Sequence, residues 1–311
     1  MTDKIPVIID CDPGHDDAMA LVLAFANQKL DIRAVTVTGG NQTLAKTLRN
    51  AKNVLHCLGK QPLVAAGADK PLCRDLQVAP NVHGETGLDG TNLAEAPWSE
   101  VKESAWELTH RLIEESEKPI TLITLGPLTN IAILLSAYPK IRRRIKRISL
   151  MGGSVLAGGN WTSAAEFNIV VDPEAADIVF TSGIPITMCG LDVTHKAMIL
   201  PPELAELKQH GGRASKLVSE LVDFYWIFHS NQGFAGAPLH DPCAVAALAA
   251  PELFTMRDMH IDIETRGTYT TGMTLADHRM WTKAPPNASV CLDLNRPAFI
   301  RLLIDACKSY G

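Results

Sequence analysis

Short runs of Val, Ile and Leu alternate along the chain with longer stretches in which apolar residues recur every three or four positions. Residues 5–10 read as a strand and 16–27 as a helix, followed by a strand at 32–38 and a helix at 43–58. Further strands are expected at 62–66, 120–125, 145–151 and 185–190, with helices at 98–116, 128–137 and 173–182. These strands are apolar throughout rather than alternating, which predicts a parallel sheet covered by helices on both faces. The last third is less regular. Residues 213–229 and 241–250 have helical periodicity, and 259–265 alternates as a strand does. A turn at Thr271-Gly272 is expected to join two β segments, and a strand at 288–294 and a helix at 297–308 close the pattern. The expectation is an open α/β fold with a mostly parallel central sheet. No repeat, linker or Pro/Gly-rich boundary divides it, so residues 1–311 are expected to form one domain.

Two connections are unusually long. Residues 67–97 carry little periodicity and contain His83-Gly-Glu-Thr-Gly-Leu-Asp-Gly90; residues 152–168 contain Gly158-Gly159-Asn160, Glu166 and Asn168. Long loops in a compact α/β domain tend to be functional. Ligands of open parallel sheets bind beyond the carboxyl ends of the strands, where several polar clusters of this chain fall.

Composition narrows the class. The 311 residues are 46% hydrophobic and 20% charged, which excludes disorder. The net charge of −5 argues against a nucleic-acid partner; the basic residues of 140–147 are too few for an extended phosphate-binding face. No apolar run reaches the roughly 18 residues of a membrane span, and the opening Met-Thr-Asp-Lys-Ile-Pro has no signal-peptide pattern. Seven cysteines, odd in number and never two apart, exclude a zinc ribbon and a disulfide framework. A cytoplasmic globular protein is expected.

The densest cluster is Asp10-Cys-Asp12-Pro-Gly14-His-Asp16-Asp17, with four carboxylates in eight residues. Asp10 and Asp12 are two apart and would share a face if the strand ran on. Helix capping accounts for one or two of the four. Crowding them all is unfavourable unless a cation or shared protons relieve the repulsion, and hard oxygen ligands suit Ca²⁺ or Mg²⁺. Taken singly, the other clusters have ordinary readings. Gly40-Asn41-Gln42-Thr43 reads as a helix cap, Leu125-Gly126-Pro127 as a turn, and His240-Asp241-Pro242 as a helix start. Asn160, Glu166 and Asn168 beside Phe167 suit a sugar-hydroxyl reader or a polar surface loop.

Together these motifs resemble the inosine-uridine preferring nucleoside hydrolase family over essentially the whole chain. D-C-D-P-G-x-D-D is followed in order by G-N-Q-T, H-G-E-T-G-L-D-G, L-G-P-L-T-N, M-G-G, A-E-F-N-I and H-D-P-C. The resemblance implies a bound Ca²⁺ and hydrolysis of the N-glycosidic bond of ribonucleosides. It implies Asp12, Asp17, Asp241, the carbonyl of Leu125 and, at or beside them, Asp10 as the metal site, with Asp12 as general base. Asp16, Asn41 and Asn168 would hold the ribose 2′- and 3′-hydroxyls, and Asn160 and Glu166 the 5′-hydroxyl. Met151, Phe167 and Phe228 would line the substrate pocket. His240, with His83, would face the leaving base. A homodimer or homotetramer is expected on the same ground.

Where relatives often carry Tyr or Trp before H-D-P, this chain has the segment 228–234, with Phe228 and Phe234 but no phenol. The Leu-Asp-Gly after His83 resembles bacterial pyrimidine-preferring members. Two other readings compete. A haloacid-dehalogenase-type phosphatase also opens with Asp-x-Asp after a first strand, but expects a Ser or Thr further along that loop, where this chain has Pro13-Gly14 and then Asp16-Asp17. A nucleoside-binding module without chemistry would have a broken carboxylate set, whereas Asp12, Asp17 and Asp241 are all present.

Overall fold

The computed structural model describes residues 4–279, 281 and 283–311. Met1, Thr2 and Asp3 of the opening segment read above lie outside them, as do Met280 and Thr282. The first half runs β1 (Ile5–Cys11), α1 (His15–Ala26), β2 (Leu30–Val37), α2 (Leu44–Cys57), β3 (Leu63–Ala66), α3 (Pro80–His83), α4 (Ala105–Glu115), β4 (Ile120–Thr124) and α5 (Thr129–Ala137). Next come β5 (Ile145–Met151), α6 (Phe167–Val171), α7 (Pro173–Phe180), β6 (Ile186–Cys189), α8 (Leu191–Thr194), β7 (Met198–Ile199) and α9 (Pro201–His210). The chain ends with α10 (Arg213–Asn231), β8 (Ala237–Pro238), α11 (His240–Ala249), β9 (Phe254–Met259), β10 (Ile261–Ile263), β11 (Thr274–Ala276), β12 (Ala288–Leu294) and α12 (Arg296–Lys308).

The central sheet has eight strands in the order β3-β2-β1-β4-β5-β6-β12-β9. All neighbours pair in parallel except β9, which runs antiparallel to β12 at one edge. Alternation along each strand divides the core into two layers. From β1, Val7, Ile9 and Cys11 enter the layer formed with α1, α2, α10, α11 and α12, while Ile8 enters the layer formed with α4, α5 and α7. The strand order turns back between β1 and β4, and the crevice beyond their carboxyl ends is where an open α/β sheet binds ligand.

Local chemistry sets where elements begin. The helix expected at 98–116 starts only at Ala105, because Ser104 and Glu107 close a capping box there, the Glu107 carboxylate accepting from the Ser104 amide at 2.9 Å. The alternation expected at 259–265 breaks after Met259. The strand continues backwards to Phe254, and β10 then pairs separately with β11 across the turn that includes Thr271-Gly272. α9 was not expected from periodicity; it buries Leu204 and Leu207 and ends at Gly211 in the left-handed region, φ 67°. Both long connections carry a short helix, α3 in the first and the start of α6 in the second.

Candidate active site

The cavity beyond the β1/β4 crossing has a volume of about 320 Å³, within the range of small-molecule sites. Its floor is acidic. β1 ends at Cys11, and Asp12-Pro13-Gly14 turns the chain into α1, placing Asp16 and Asp17 in the first turn of that helix. α11 packs against α1 and begins His240-Asp241, so two helix N-termini, each a partial positive charge, meet beneath the cavity. Carboxylate oxygens of Asp16, Asp17 and Asp241 lie within 4.8 Å of one another.

Asp17 does cap α1, accepting from the amides of Asp12 at 3.1 Å and Gly14 at 3.0 Å. Capping leaves the others unexplained. Asp12 Oδ2 accepts from the Asn41 amide at 2.6 Å, but its buried Oδ1 has no partner. Gly40 and Gly126 press on this carboxylate from either side, and a Cβ at either position would overlap it. That contact leaves room only for glycine at the first position of G-N-Q-T and the second of L-G-P. Burial and mutual repulsion raise Asp12 and Asp241 well above the usual carboxylate range and Asp16 to about 8. A cluster that would otherwise have to hold protons, lined by oxygens only and with an orphaned oxygen beside it, fits a hard divalent cation.

Asp10 stands apart from that group. It points to the opposite face of the sheet, where its Oδ1 accepts from the Thr36 hydroxyl at 2.5 Å and the Asn130 amide at 2.8 Å. The shared face expected for Asp10 and Asp12 is not formed, because β1 ends at Cys11 and the chain turns. The Leu125 carbonyl accepts from the Asn168 side-chain amide at 2.7 Å, and the same amide lies 3.3 Å from the Met151 carbonyl. Asn168 thus ties the ends of β4 and β5 at the cavity wall. Asn41 braces the floor, its side chain donating to the Asp12 carbonyl at 3.2 Å and Asp17 Oδ2 at 3.1 Å. Glu166 caps α6, accepting from the amides of Asn168, Gly153 and Ile169, and Asn160 Oδ1 accepts from the Phe167 amide. All six of Asp16, Asn41, Asn160, Glu166, Phe167 and Asn168 line the cavity, as does Asp241; Asp10, Asp12 and Asp17 do not.

The roof is aromatic and imidazole-rich. His83 ends α3, His240 opens α11, and Tyr225, Phe228 and His229 project from α10 at the i, i+3, i+4 spacing that shares one helix face. His229 Nδ1 donates to the Tyr225 carbonyl at 3.0 Å, and His240 Nδ1 lies 2.8 Å from the Thr194 hydroxyl. Burial lowers every one of these imidazoles, His229 to about 4 and His83 and His240 well below their usual value. A phenol does lie three residues before the 228–234 segment: Tyr225 is buried, and burial together with the nearby Asp16 carboxylate raises its hydroxyl well above the ordinary value. Tyr225, His229, His195 and Trp161 all line the cavity without having been singled out from sequence. Helical spacing alone would have found Tyr225 and His229.

The chain matches the family model described as inosine-uridine preferring nucleoside hydrolase over residues 7–301. It is 50% identical to the pyrimidine-specific ribonucleoside hydrolase RihA of Klebsiella pneumoniae (strain 342), across 99% of both chains. Identity to RihA of Escherichia coli O1:K1 / APEC is likewise 50% over the same share. Among solved structures, a purine-preferring ribonucleoside hydrolase from Gardnerella vaginalis superposes with a TM-score of 0.92 at 29% identity, covering 98% of each chain. A plant nucleoside hydrolase, PpNRh1, does so at 0.90 and 30%, covering 98% of this chain and 99% of that one. The chain belongs to the inosine-uridine preferring nucleoside hydrolase family, and is an N-ribosyl hydrolase.

Proposed function

We propose that this enzyme is a Ca²⁺-dependent, pyrimidine-preferring ribonucleoside hydrolase that releases ribose and free base in nucleoside salvage or catabolism. The observation that carries the reading is the division of one cavity into a carboxylate floor and an aromatic, uncharged roof, which suits a sugar below and a base above. Asp12, Asp17 and Asp241 with the Leu125 carbonyl would hold the ion, with Asp10 behind them. Bound there, Ca²⁺ supplies a water of lowered pKa on the sugar side of the cavity.

Asp12 is the general base: its Oδ1 is buried and unbonded, as is Asp10 Oδ2, but Asp12 stands where β1 turns into α1 beside Asp16 and Asp17. Asp16, Asn41 and Asn168 take the 2′- and 3′-hydroxyls, and Asn160 and Glu166 the 5′-hydroxyl; Met151 and Phe167 close that wall. The crowded carboxylates also stabilise the positive charge that develops on ribose in an oxocarbenium-like transition state. His240 and His83, with Phe228, attend the departing base. Pyrimidine preference rests on the printed specificity of the RihA relatives. Seven free thiols, one of them exposed, suit the reducing cytoplasm, and no helix among the described residues is long and apolar enough to cross a membrane. The family resemblance supports a homodimer or homotetramer, with residues 1–311 as a single hydrolase domain.

The test measures reducing sugar released from uridine, cytidine and inosine, with and without a chelator. Faster release from the two pyrimidine nucleosides, lost on chelation and restored by Ca²⁺, is expected. Uridine binding without cleavage would select a binding module, and phosphate release from p-nitrophenyl phosphate a phosphatase.

A further inference from the structure

Asp192 lies in the first turn of α8 and is buried. An acidic residue there is an ordinary partner for a helix N-terminus. Both of its oxygens, however, are taken up by another segment. Oδ2 accepts from the amide of Val155 at 2.7 Å, and Oδ1 accepts from those of Leu156 at 2.7 Å and Ala157 at 3.0 Å. Three successive main-chain amides converge on one carboxylate, in bonds strengthened by its charge. They belong to the long connection after β5, which carries Asn160 and Glu166.

That connection has two parts. Its start is pressed against α8: the Leu191 amide donates to the Gly153 carbonyl at 2.9 Å, and a Cβ on Gly190 would lie 2.6 Å from the same oxygen. The Gly153 amide in turn donates to Glu166 Oε2 at 2.9 Å. The second part is a turn closed on itself, with the Gly159 amide donating to the Ser163 carbonyl and that of Trp161 to the Ala165 carbonyl, both at 3.2 Å. Asn160 sits in this turn, its Oδ1 accepting from the Phe167 amide at 3.0 Å. Trp161 Nε1 also ties the turn to the other long connection, donating to Gln77 Oε1 at 2.7 Å. The two parts meet at Gly158, whose φ of 75° is in the left-handed region. A glycine joint is conformationally permissive, so the turn depends on the main chain before it being held. The grip of Asp192 on 155–157 supplies that hold.

We propose that Asp192 is a positioning residue for the 5′-hydroxyl of the ribose: by gripping the main chain at 155–157 it sets the place of Asn160 and, through Gly153, of Glu166. This rests on the nucleoside hydrolase reading of the cavity, in which those two residues take the 5′-hydroxyl. Asp192 does not itself line the cavity, so it acts only through them. The side chains of Asn41 and Asn168, assigned to the 2′- and 3′-hydroxyls, are held by other partners: Asn41 by Asp12 and Asp17, and Asn168 by the Leu125 carbonyl. The two ends of the sugar are therefore positioned by separate networks.

Separate networks predict a selective loss. The test measures kcat/KM for uridine, 5′-deoxyuridine and 2′-deoxyuridine on metal-loaded parent, Asp192→Asn and Asp192→Ala. The parent should favour uridine over 5′-deoxyuridine by about 10²-fold or more, because the missing hydroxyl leaves buried partners unpaired. Asp192→Ala should cut that preference about tenfold, losing on uridine and little on 5′-deoxyuridine. Its preference for uridine over 2′-deoxyuridine should stay within about threefold of the parent's, since the other network is untouched. Asp192→Asn keeps one acceptor oxygen and should fall between, with the 5′ preference cut about threefold; it carries the comparison alone if the alanine variant does not fold. Equal losses on all three substrates would make Asp192 a general support of the fold and overturn the proposal. So would an unchanged 5′ preference, or a parent that cleaves uridine but is indifferent to the 5′-hydroxyl. A parent that releases ribose from no nucleoside would instead count against the functional reading itself.

Discussion

The floor and the roof of the cavity are built from opposite chemistries and by opposite means. The floor is four carboxylates set by the ends of two central strands and two helix N-termini, with Asp12 and Asp17 held by main-chain amides and Asp12 also by close-fitting glycines. The roof is imidazole and aromatic rings carried by α3, α10 and α11, held largely by ring contacts, as in the stacked His83–Tyr225 pair at 5.6 Å. Directional bonds hold the floor in one geometry, as bond cleavage requires. Stacked rings tolerate exchange of one base for another. The comparison teaches that reaction and selectivity are separable here: changes to the floor should alter whether the bond breaks, and changes to the roof which base departs.

The largest expected effect is on the floor. Asp12→Asn keeps the shape and one oxygen of the side chain but cannot take a proton. Single-turnover cleavage of uridine should fall by about two to four orders of magnitude, with metal content measured in the same sample. Near-parental rates in fully loaded protein would pass the role to Asp10 or Asp17. Gly126→Ala should follow. The added Cβ meets the Asp12 carboxylate, and overpacking of this kind costs about 1–3 kcal/mol, or roughly ten- to hundredfold if it falls on the transition state. Unchanged kcat in a folded variant would mean that Asp12 need not sit where it does.

At the boundary of the two regions, Tyr225→Phe removes a buried phenol near Asp16 from the cavity wall. A loss of about tenfold in kcat/KM for uridine is expected, the usual scale of one polar contact. An equal loss on nucleosides lacking the 2′-hydroxyl would show that the phenol does not act through Asp16.

The smallest effect is on stability. Burial holds His229 at about 4 in the folded chain, below the ordinary 6.5. Below pH 6.5 the unfolded chain therefore binds a proton that the folded chain refuses, so stability is full above that pH and declines as the pH falls toward 4. His229→Gln removes this contribution. Its melting temperature should fall less than the parent's between about pH 7 and 5, by a few degrees. Parallel declines would show that His229 titrates normally.

Much of the floor was legible in the sequence, because the residues that build it are contiguous. The apolar run 5–10, the break at Pro13-Gly14 and the acidic pair at 16 and 17 announce a strand, a turn and a helix start. What could not be read was which carboxylates converge. Asp10 is drawn away by Asn130, 120 positions along the chain, and Asp241 arrives only because α11 packs on α1. Contacts at that separation leave no local periodicity. The roof was harder for a different reason. An aromatic at 225 inside an amphipathic helix reads as core, and Tyr225 is indeed 2% exposed; its place in the cavity wall makes it part of the site. The start of the strand at 254–259 was missed because β9 is an edge strand whose Thr255, Arg257 and Asp258 are exposed, so its sequence carries no continuous apolar run.

The central claim is that the floor reads ribose strictly while the roof reads the base loosely. It is tested most directly by kcat/KM for uridine, 2′-deoxyuridine and cytidine on the same Ca²⁺-loaded enzyme. Removing the 2′-hydroxyl leaves buried partners among Asp16, Asn41 and Asn168 unpaired, and should lower kcat/KM by about 10³-fold or more. Exchanging uracil for cytosine should change it by no more than about tenfold. Comparable turnover of uridine and 2′-deoxyuridine would contradict the account.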